Sequence, residues 1–467
     1  MNVVVSKLNE VYLQVSCEDH IAKELHQFFS FKVPNAKFMP SYKNRFWDGK
    51  IYLFSIKTGK MYVGLAKYLK LFCEERGYSY QSDIRETKKQ TSGDDLRSFL
   101  KTLNLPFDPR DYQFDSVLEC INSDRKLLVS PTASGKSFII YLLHRWYNKR
   151  SLVIVPTTSL VEQMSKDFAD YGYKQKVCKI YSGQDFFEAP VTVTTWQSLS
   201  RLPKEFYNQF DVVFGDEAHQ FKANVLKGIL ERMTDVKYRF GTTGTLDGTE
   251  VHRLQLEGLF GDAKKVISTS ELMDKGTVAN LEIDCLVLKH PKQSKMKFQD
   301  EMKYLISNDK RNQFIVNLVS TLKGNTLVLF QFVEKHGEVL YSLLDGRVNE
   351  LHYVYGGTDA SDREQVREVV EKRDNSVILA SYGTFSTGVN IKRINNIVFA
   401  SPTKSRIRNL QSIGRGLRVT DGKKNLKLYD IADDLQCDNY TLNHLKERIN
   451  IYNEEKFVYN IHTINLN

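Results

Sequence analysis

Val212-Val213-Phe214-Gly215-Asp216-Glu217-Ala218-His219 decides the reading of this chain, because a buried-type β run breaks off at an acidic pair. Upstream, Leu127-Leu128-Val129 runs into Ser130-Pro131-Thr132-Ala133-Ser134-Gly135-Lys136-Ser137, ahead of a helical apolar pattern. A phosphate cradle needs exposed backbone N–H groups at a helix N-terminus, a close-fitting glycine, a lysine for the outer phosphates and a hydroxyl for Mg²⁺. Gly135, Lys136 and Ser137 supply those parts, with Thr132, Ala133 and Ser134 as the rest of the loop. Asp216 is the expected second Mg²⁺ holder, and Glu217 could orient or deprotonate an attacking water. His219 is expected on the γ-phosphate side. A Gly-Lys-Ser triplet or an Asp-Glu pair alone is ordinary, but both, in this order and both after buried-type strands, point to ATP hydrolysis. One departure stands out: the usual phosphate loop begins with Gly, and this chain has Ser130, so its loop is tighter and less Gly-rich.

Around these motifs the pattern alternates strand and helix. Leu127-Val129, Leu152-Val155, Val191-Thr195, Val212-Phe214 and Arg239-Thr243 read as strands of one parallel, doubly wound sheet. Leu327-Phe330, His352-Tyr355, Val377-Ala380, Ile397-Ala400 and Leu426-Asp430 read as a second, with residues 276 to 310 as connector. Ligands of such sheets bind outside the carboxyl ends of the strands. The expected division is 1–95, a small α/β module; 96–275, the ATP-binding sheet; and 276–467, the second sheet with a C-terminal extension.

A chain of 467 residues with 41% apolar content can bury more than one core. Its six cysteines are scattered without a Cys-x-x-Cys pair, so neither a zinc ribbon nor a disulfide framework is expected. No apolar run approaches bilayer length, and a cytoplasmic protein without membrane partners is the expectation. The net charge of +10 is unevenly placed: residues 32 to 70 carry nine cations against Asp48 alone. That is the footprint of a polyanion binder. Lys43, Arg45, Trp47 and Lys50 mix rings with cations there, and Asp48-Gly49 between aromatic and β-branched residues predicts a hairpin ribbon. Ser16 with Asp19 predicts a capping box for a helix whose Ile21, Leu25, Phe28 and Phe29 share a face. Residues 86 to 95 are the candidate linker.

The second sheet has no phosphate loop but carries Gln411-x-x-Gly414-Arg415-x-x-Arg418. Two arginines three apart on a helix face the same way, and a guanidinium reaching a neighbouring domain's nucleotide stabilises phosphoryl-transfer charge. With this motif the set resembles the superfamily 2 helicases and translocases over about residues 96 to 435, and more closely the UvsW-type helicases of T4-like bacteriophages through Trp47-Asp48-Gly49, Pro156-Thr157-Thr158 and Ser381 to Gly388. The resemblance implies two tandem RecA-like domains behind a nucleic-acid-binding module, with ATP and Mg²⁺ as cofactors. It makes Gln113 the adenine reader, Gly388 and Asn390 part of the ATP site, and Thr157, Thr195 and Thr387 nucleic-acid contacts. Gln411, Arg415 and Arg418 join Lys136, Asp216 and Glu217 as catalytic residues, and Thr243-Gly244-Thr245 becomes the link between ATP and strand binding. It implies an ATP-driven motor acting in the infected host cell on branched double-stranded and single-stranded DNA and on RNA–DNA hybrids, with recombination or single-strand-binding proteins of the phage as partners. An RNA-specific helicase, a restriction-type motor subunit and a non-enzymatic binding module remain the alternatives; retention of Lys136, Glu217, Arg415 and Arg418 together argues against the last.

Overall fold

The structure is a computed structural model. It describes every residue except 1, 34–35, 85–89, 182–185, 221–222, 247–248, 388–390, 392, 404, 419–422, 424 and 467. Gly388, Asn390 and part of the expected linker lie outside the described residues. The chain forms two compact units, Met1–Ser130 with Gly135–Val266, and Ile267–Asn467 with the short Pro131–Ser134 stretch.

In the first unit, strands Asn2–Lys7 and Tyr12–Ser16 pair antiparallel, and their alternation sends Val3, Val5, Leu13 and Val15 inward. Ser79–Ser82 adds in parallel on one side and Lys60–Tyr62 antiparallel on the other. Helix Asp19–Phe28 covers this sheet with Ile21 and Leu25, and Phe29 is buried just beyond it. Phe28 stays on the surface, and the helix starts at Glu18 without a side-chain cap rather than through a Ser16–Asp19 box. The expected Asp48-Gly49 hairpin is also corrected. Pro40 at the N-terminus of a short helix, Pro40–Lys43, takes up the segment that would have been the first strand. Asp48 then accepts the Lys50 amide at 3.0 Å, and Lys50–Tyr52 pairs with the upstream strand Ser30–Lys32.

The main sheet of this unit holds β1 Arg125–Val129, β2 Ser151–Val155, β3 Val177–Ile180, β4 Val191–Thr195, β5 Val212–Gly215, β6 Tyr238–Thr243 and β7 Ala263–Lys265. All pairings are parallel, in the order β3-β4-β2-β5-β6-β1-β7. Successive residues feed opposite faces. Leu128, Val153, Val155, Val212 and Phe214 pack under helix Lys136–Tyr147, whereas Leu127, Leu152, Ile154 and Val213 join a core that runs without interruption into the N-terminal module through Leu254, Leu259 and Phe260. Polar contacts lock the same seam. Tyr12 and Tyr62 both donate to Glu231, at 2.5 and 2.8 Å, Tyr68 donates to Glu257 at 2.5 Å, and Arg125 pairs with Glu10 at 3.1 Å.

The second unit holds β8 Asn280–Lys289, β9 Thr326–Phe330, β10 Glu350–Val354, β11 Ser376–Ser381, β12 Asn396–Phe399, β13 Asn425–Asp434 and β14 Tyr459–Asn465. They are again all parallel, in the order β10-β11-β9-β12-β13-β8-β14, which repeats the first sheet strand for strand. The expected connector is therefore corrected, because its residues 280–289 form a full strand between β13 and β14. Buried ion pairs hold this sheet to its helices. Arg311 grips Asp433 at 2.8 Å with the carbonyl of Ala400 as a second acceptor, and Arg448 grips Asp430 at 2.8 Å.

Candidate active site

Parallel strands point their carboxyl ends one way, so the loops after β1, β5 and β6, neighbours in the sheet, meet on one edge. The loop after β1 bends through left-handed backbone at Ala133 (φ 68°) and Gly135 (φ 81°), and Gly135 opens helix Lys136–Tyr147. Glycine is required at 135 on two counts. A side chain there would be strained, and its Cβ would run into the amide of Gln113. Ser130 is tolerated where glycine is usual because it needs no such bend. It finishes the strand, donating its N–H to Thr243 at 2.8 Å while its carbonyl accepts from Lys136 Nζ at 3.3 Å. Gln113 is buried and accepts the Arg110 N–H at 2.9 Å, with its amide beside Gly135 of the loop.

Asp216, buried at the tip of β5, accepts the Thr242 hydroxyl at 2.6 Å. Burial first, and then the adjacent Glu217 charge, holds its carboxyl above the ordinary carboxylate range, with Lys136 opposing. Glu217 takes a left-handed backbone (φ 50°), a conformation costly for a non-glycine residue and typical of functional positions. The bend turns its carboxylate towards Lys136 at 3.3 Å and His219 Nδ1 at 3.4 Å. His219 lies 2.6 Å from the Thr243 hydroxyl, which donates its single proton to the Thr245 carbonyl at 2.9 Å. Its oxygen therefore accepts from His219 Nδ1–H. His219 thus joins the acidic motif to Thr243-Gly244-Thr245, and a Cβ on Gly244 would stand 3.9 Å from both Glu217 and Lys136.

Ser137 Oγ sits 2.9 Å from the Tyr171 hydroxyl. Ser137 and Asp216 offer the hard oxygen donors that Mg²⁺ takes, and Mg²⁺ characteristically relies on one or two protein oxygens plus substrate phosphates.

Two further loops flank this edge. Thr157 caps helix Thr158–Asp170 after β2, accepting the Leu160 N–H at 3.4 Å, and Thr195 caps Trp196–Leu199 after β4, accepting the Ser198 N–H at 3.3 Å. Because β2 and β4 are neighbours, these caps lie side by side, and Gln197 ties them by donating to the Pro156 carbonyl at 3.4 Å. In the second unit Gln411 and Arg415 lie on helix Arg406–Gly416, and Gln411 is buried. Arg415 donates to the Phe385 carbonyl and lies over the Phe385 ring, 5.7 Å from its centroid. Arg418 falls two residues past the helix end, so the two arginines do not share one helical face as the spacing predicted. Thr387 ends helix Tyr382–Thr387.

Residues 3–83 match the family model described as DNA helicase UvsW, N-terminal; residues 106–248 match the type III restriction enzyme res subunit; and residues 309–420 match the helicase conserved C-terminal domain. The ATP-dependent DNA helicase uvsW of Enterobacteria phage T4 is 33% identical over 97% of this chain and 98% of its own length. The chain belongs to the UvsW family of helicases. The crystal structure of T4 UvsW aligns over 100% of both chains at 30% identity with a TM-score of 0.54. A fragment of an HsdR subunit of a type I restriction enzyme from Vibrio vulnificus shares the fold, at 18% identity and TM-score 0.59 over 85% of this chain and 74% of that one. This UvsW-family helicase is accordingly an ATP-hydrolysing enzyme of superfamily 2 that acts on nucleic acid. No helix among the described residues is long and apolar enough to cross a membrane.

The geometry of this UvsW-family site adds residues that motif reading passed over. Thr242, which holds Asp216, carries a usable signal, since it stands in the same strand tip as the Thr-Gly-Thr motif. Tyr171 carries none, because it meets Ser137 across 34 positions of sequence.

Proposed function

We propose that this UvsW-family helicase is a motor on branched DNA, driving fork regression, Holliday-junction branch migration and the dissociation of D-loops and R-loops in phage recombination, repair and replication. The observation that carries the reading is the basic N-terminal module seated on the motor: it belongs to the UvsW N-terminal family and shares one hydrophobic core with the ATP-binding sheet. A strand-binding surface fused in this way moves with the sheet that binds ATP. The substrates we assign are single-stranded and branched double-stranded DNA and RNA–DNA hybrids, in the host cytoplasm where phage DNA is replicated, with phage recombination or single-strand-binding proteins as partners.

In this reading ATP phosphates lie on the N–H groups at the start of helix Lys136–Tyr147 and draw Lys136 away from Glu217. Glu217 is then available to orient the attacking water, with His219 beside it. Ser137 and Asp216 would hold Mg²⁺, which when bound neutralises phosphate charge. Arg415 and Arg418 supply the cations that phosphoryl transfer requires from the second sheet, Gln411 adds a neutral amide, and Gly388 and Asn390 contribute to the same nucleotide. Thr157, Thr195 and Thr387 contact successive phosphates, which carry little base information, so branch geometry rather than sequence selects the substrate. Lys43, Arg45, Trp47 and Lys50 anchor the junction.

The test is steady-state ATP turnover without nucleic acid and with linear single-stranded DNA, a four-way junction, an RNA–DNA hybrid or structured RNA, using Lys136→Ala as control. Strongest stimulation by the junction is expected. Stimulation by RNA alone would replace the proposal with an RNA helicase.

A further inference from the structure

The aromatic residues of the basic segment divide sharply by what they touch. Trp47 donates its indole N–H to the Lys50 carbonyl at 2.6 Å and is half-buried. Tyr52 donates to Asp48, and its ring stacks on His26 with centroids 4.1 Å apart and planes within 2°. Tyr42 lies over Gly49, where a Cβ would come within 3.0 Å of its ring. These rings are engaged in building the segment. Phe46 is different: it is 86% exposed, the most exposed large apolar side chain among the described residues.

Its position follows from the backbone. Helix Pro40–Lys43 closes with Phe46 N–H bonding to the Ser41 carbonyl at 2.9 Å and Arg45 N–H to the Tyr42 carbonyl at 3.0 Å. This double closure is the Schellman motif, whose left-handed position is usually glycine and whose last residue usually packs on an apolar side chain one turn back. Here the left-handed position is Arg45 (φ 59°), and the residues one turn back are Ser41 and Pro40, neither of which buries the ring. The bend therefore costs more than a glycine would and delivers a phenyl ring to solvent with no apolar seat. Around it, Lys37, Tyr42, Lys43, Arg45, Trp47 and Asp48 line an open hollow of about 530 Å³. Phe38, 64% exposed, stands on the same segment under Lys37, whose Nζ lies 5.2 Å from its ring centroid. An apolar protein partner would meet three cations against the single carboxylate of Asp48 at this rim, whereas an unpaired nucleotide brings a π-face for the ring and phosphates for the cations.

We propose that Phe46 stacks on an unpaired nucleobase where single strand meets duplex, with Lys43 and Arg45 holding the flanking phosphates. The inference rests on the nucleic-acid reading of this module and adds a residue and a position to it. Phe46 marks the branch point for the enzyme, and the cations give affinity without discrimination.

The experiment uses the full chain and a forked DNA carrying 2-aminopurine at the first unpaired position, with a linear duplex as reference. The wild-type protein is expected to change the fluorescence of the base at the fork and not of one several nucleotides away. Phe46→Ala should lose that signal and bind the fork about 5- to 150-fold more weakly, the range set by stacking a base on a ring. Phe46→Trp should restore both. An unchanged signal and unchanged fork affinity in Phe46→Ala would overturn the stacking role. So would an altered oligomeric state in sedimentation with DNA binding intact, which would make the ring a protein contact. The triple neutralisation of Lys43, Arg45 and Lys50 separates this failure from the broader one. If it lowers the salt slope of binding while Phe46→Ala does nothing, only stacking fails; if it too changes nothing, the nucleic-acid reading of the module falls.

Discussion

The two seven-stranded sheets repeat one strand order, yet they place ionisable side chains in different settings. In the first, Lys136, Asp216, Glu217 and His219 gather at strand tips, where Glu217 pairs with both the lysine and the imidazole. In the second, Arg311–Asp433 and Arg448–Asp430 are sealed between strands and helices with almost no exposed side-chain surface. Topology alone therefore assigns no chemistry. A pair at the sheet edge can exchange one partner for a phosphate, whereas a pair sealed inside the layers can be broken only by disturbing the fold.

That contrast can be broken at several points. Lys136→Ala should lower ATP turnover by about a thousandfold or more, with thermal unfolding close to that of the wild type. Glu217→Gln should match it in turnover while keeping nucleotide binding, as read by equilibrium titration. Full activity in either would remove the first sheet from the chemistry. Arg311→Ala should instead lower stability by about 3–5 kcal/mol in denaturant melts, because it leaves Asp433 buried without its cation. The pH dependence sharpens the point. Burial alone would raise the Asp433 carboxyl, but Arg311 and the hydrogen bonds from His290 and Arg311 hold it below the ordinary range. A depressed carboxyl contributes stability above its unfolded pKa, about 3.9, and loses it as pH falls through the folded value. Arg311→Ala should accordingly flatten the acid limb of the stability profile below about pH 4. Thr243→Val, which removes the acceptor of His219, should cost about 1–3 kcal/mol of activation free energy in DNA-stimulated turnover. Tyr62→Phe, the smallest of the set, should cost about 1–2 kcal/mol of first-unit stability and leave turnover unaffected.

Much of this molecule was legible in its sequence because phosphate and metal chemistry fixes residue types at strand ends. Ser134 to Ser137, Asp216 to His219 and Thr243 to Thr245 all fall on the tips where reading placed them. The losses lie where pairing is not local. β8 alternates Glu282 and Asp284 with Leu281 and Ile283, and its partners β13 and β14 are more than 130 residues away, so it read as a connector. β7, Ala263-Lys264-Lys265, is an edge strand with no apolar signal at all. Asp48-Gly49 carried a hairpin signature, but Pro40 and the Asp48 side chain's bond to Lys50 redirected the chain. Arg418 escaped its helix because the helix ends at Gly416, a boundary that motif spacing does not encode.

The core shared by the N-terminal module and the first sheet limits how this enzyme can be cut apart. Removing residues 1–83 would uncover Leu254, Leu259 and Phe260 and strand Glu231 and Glu257 without their tyrosines. Such a truncation would produce an adhesive, poorly soluble fragment rather than a minimal motor. Grafting the module onto another helicase would require transplanting the Glu250–Phe260 helix with it.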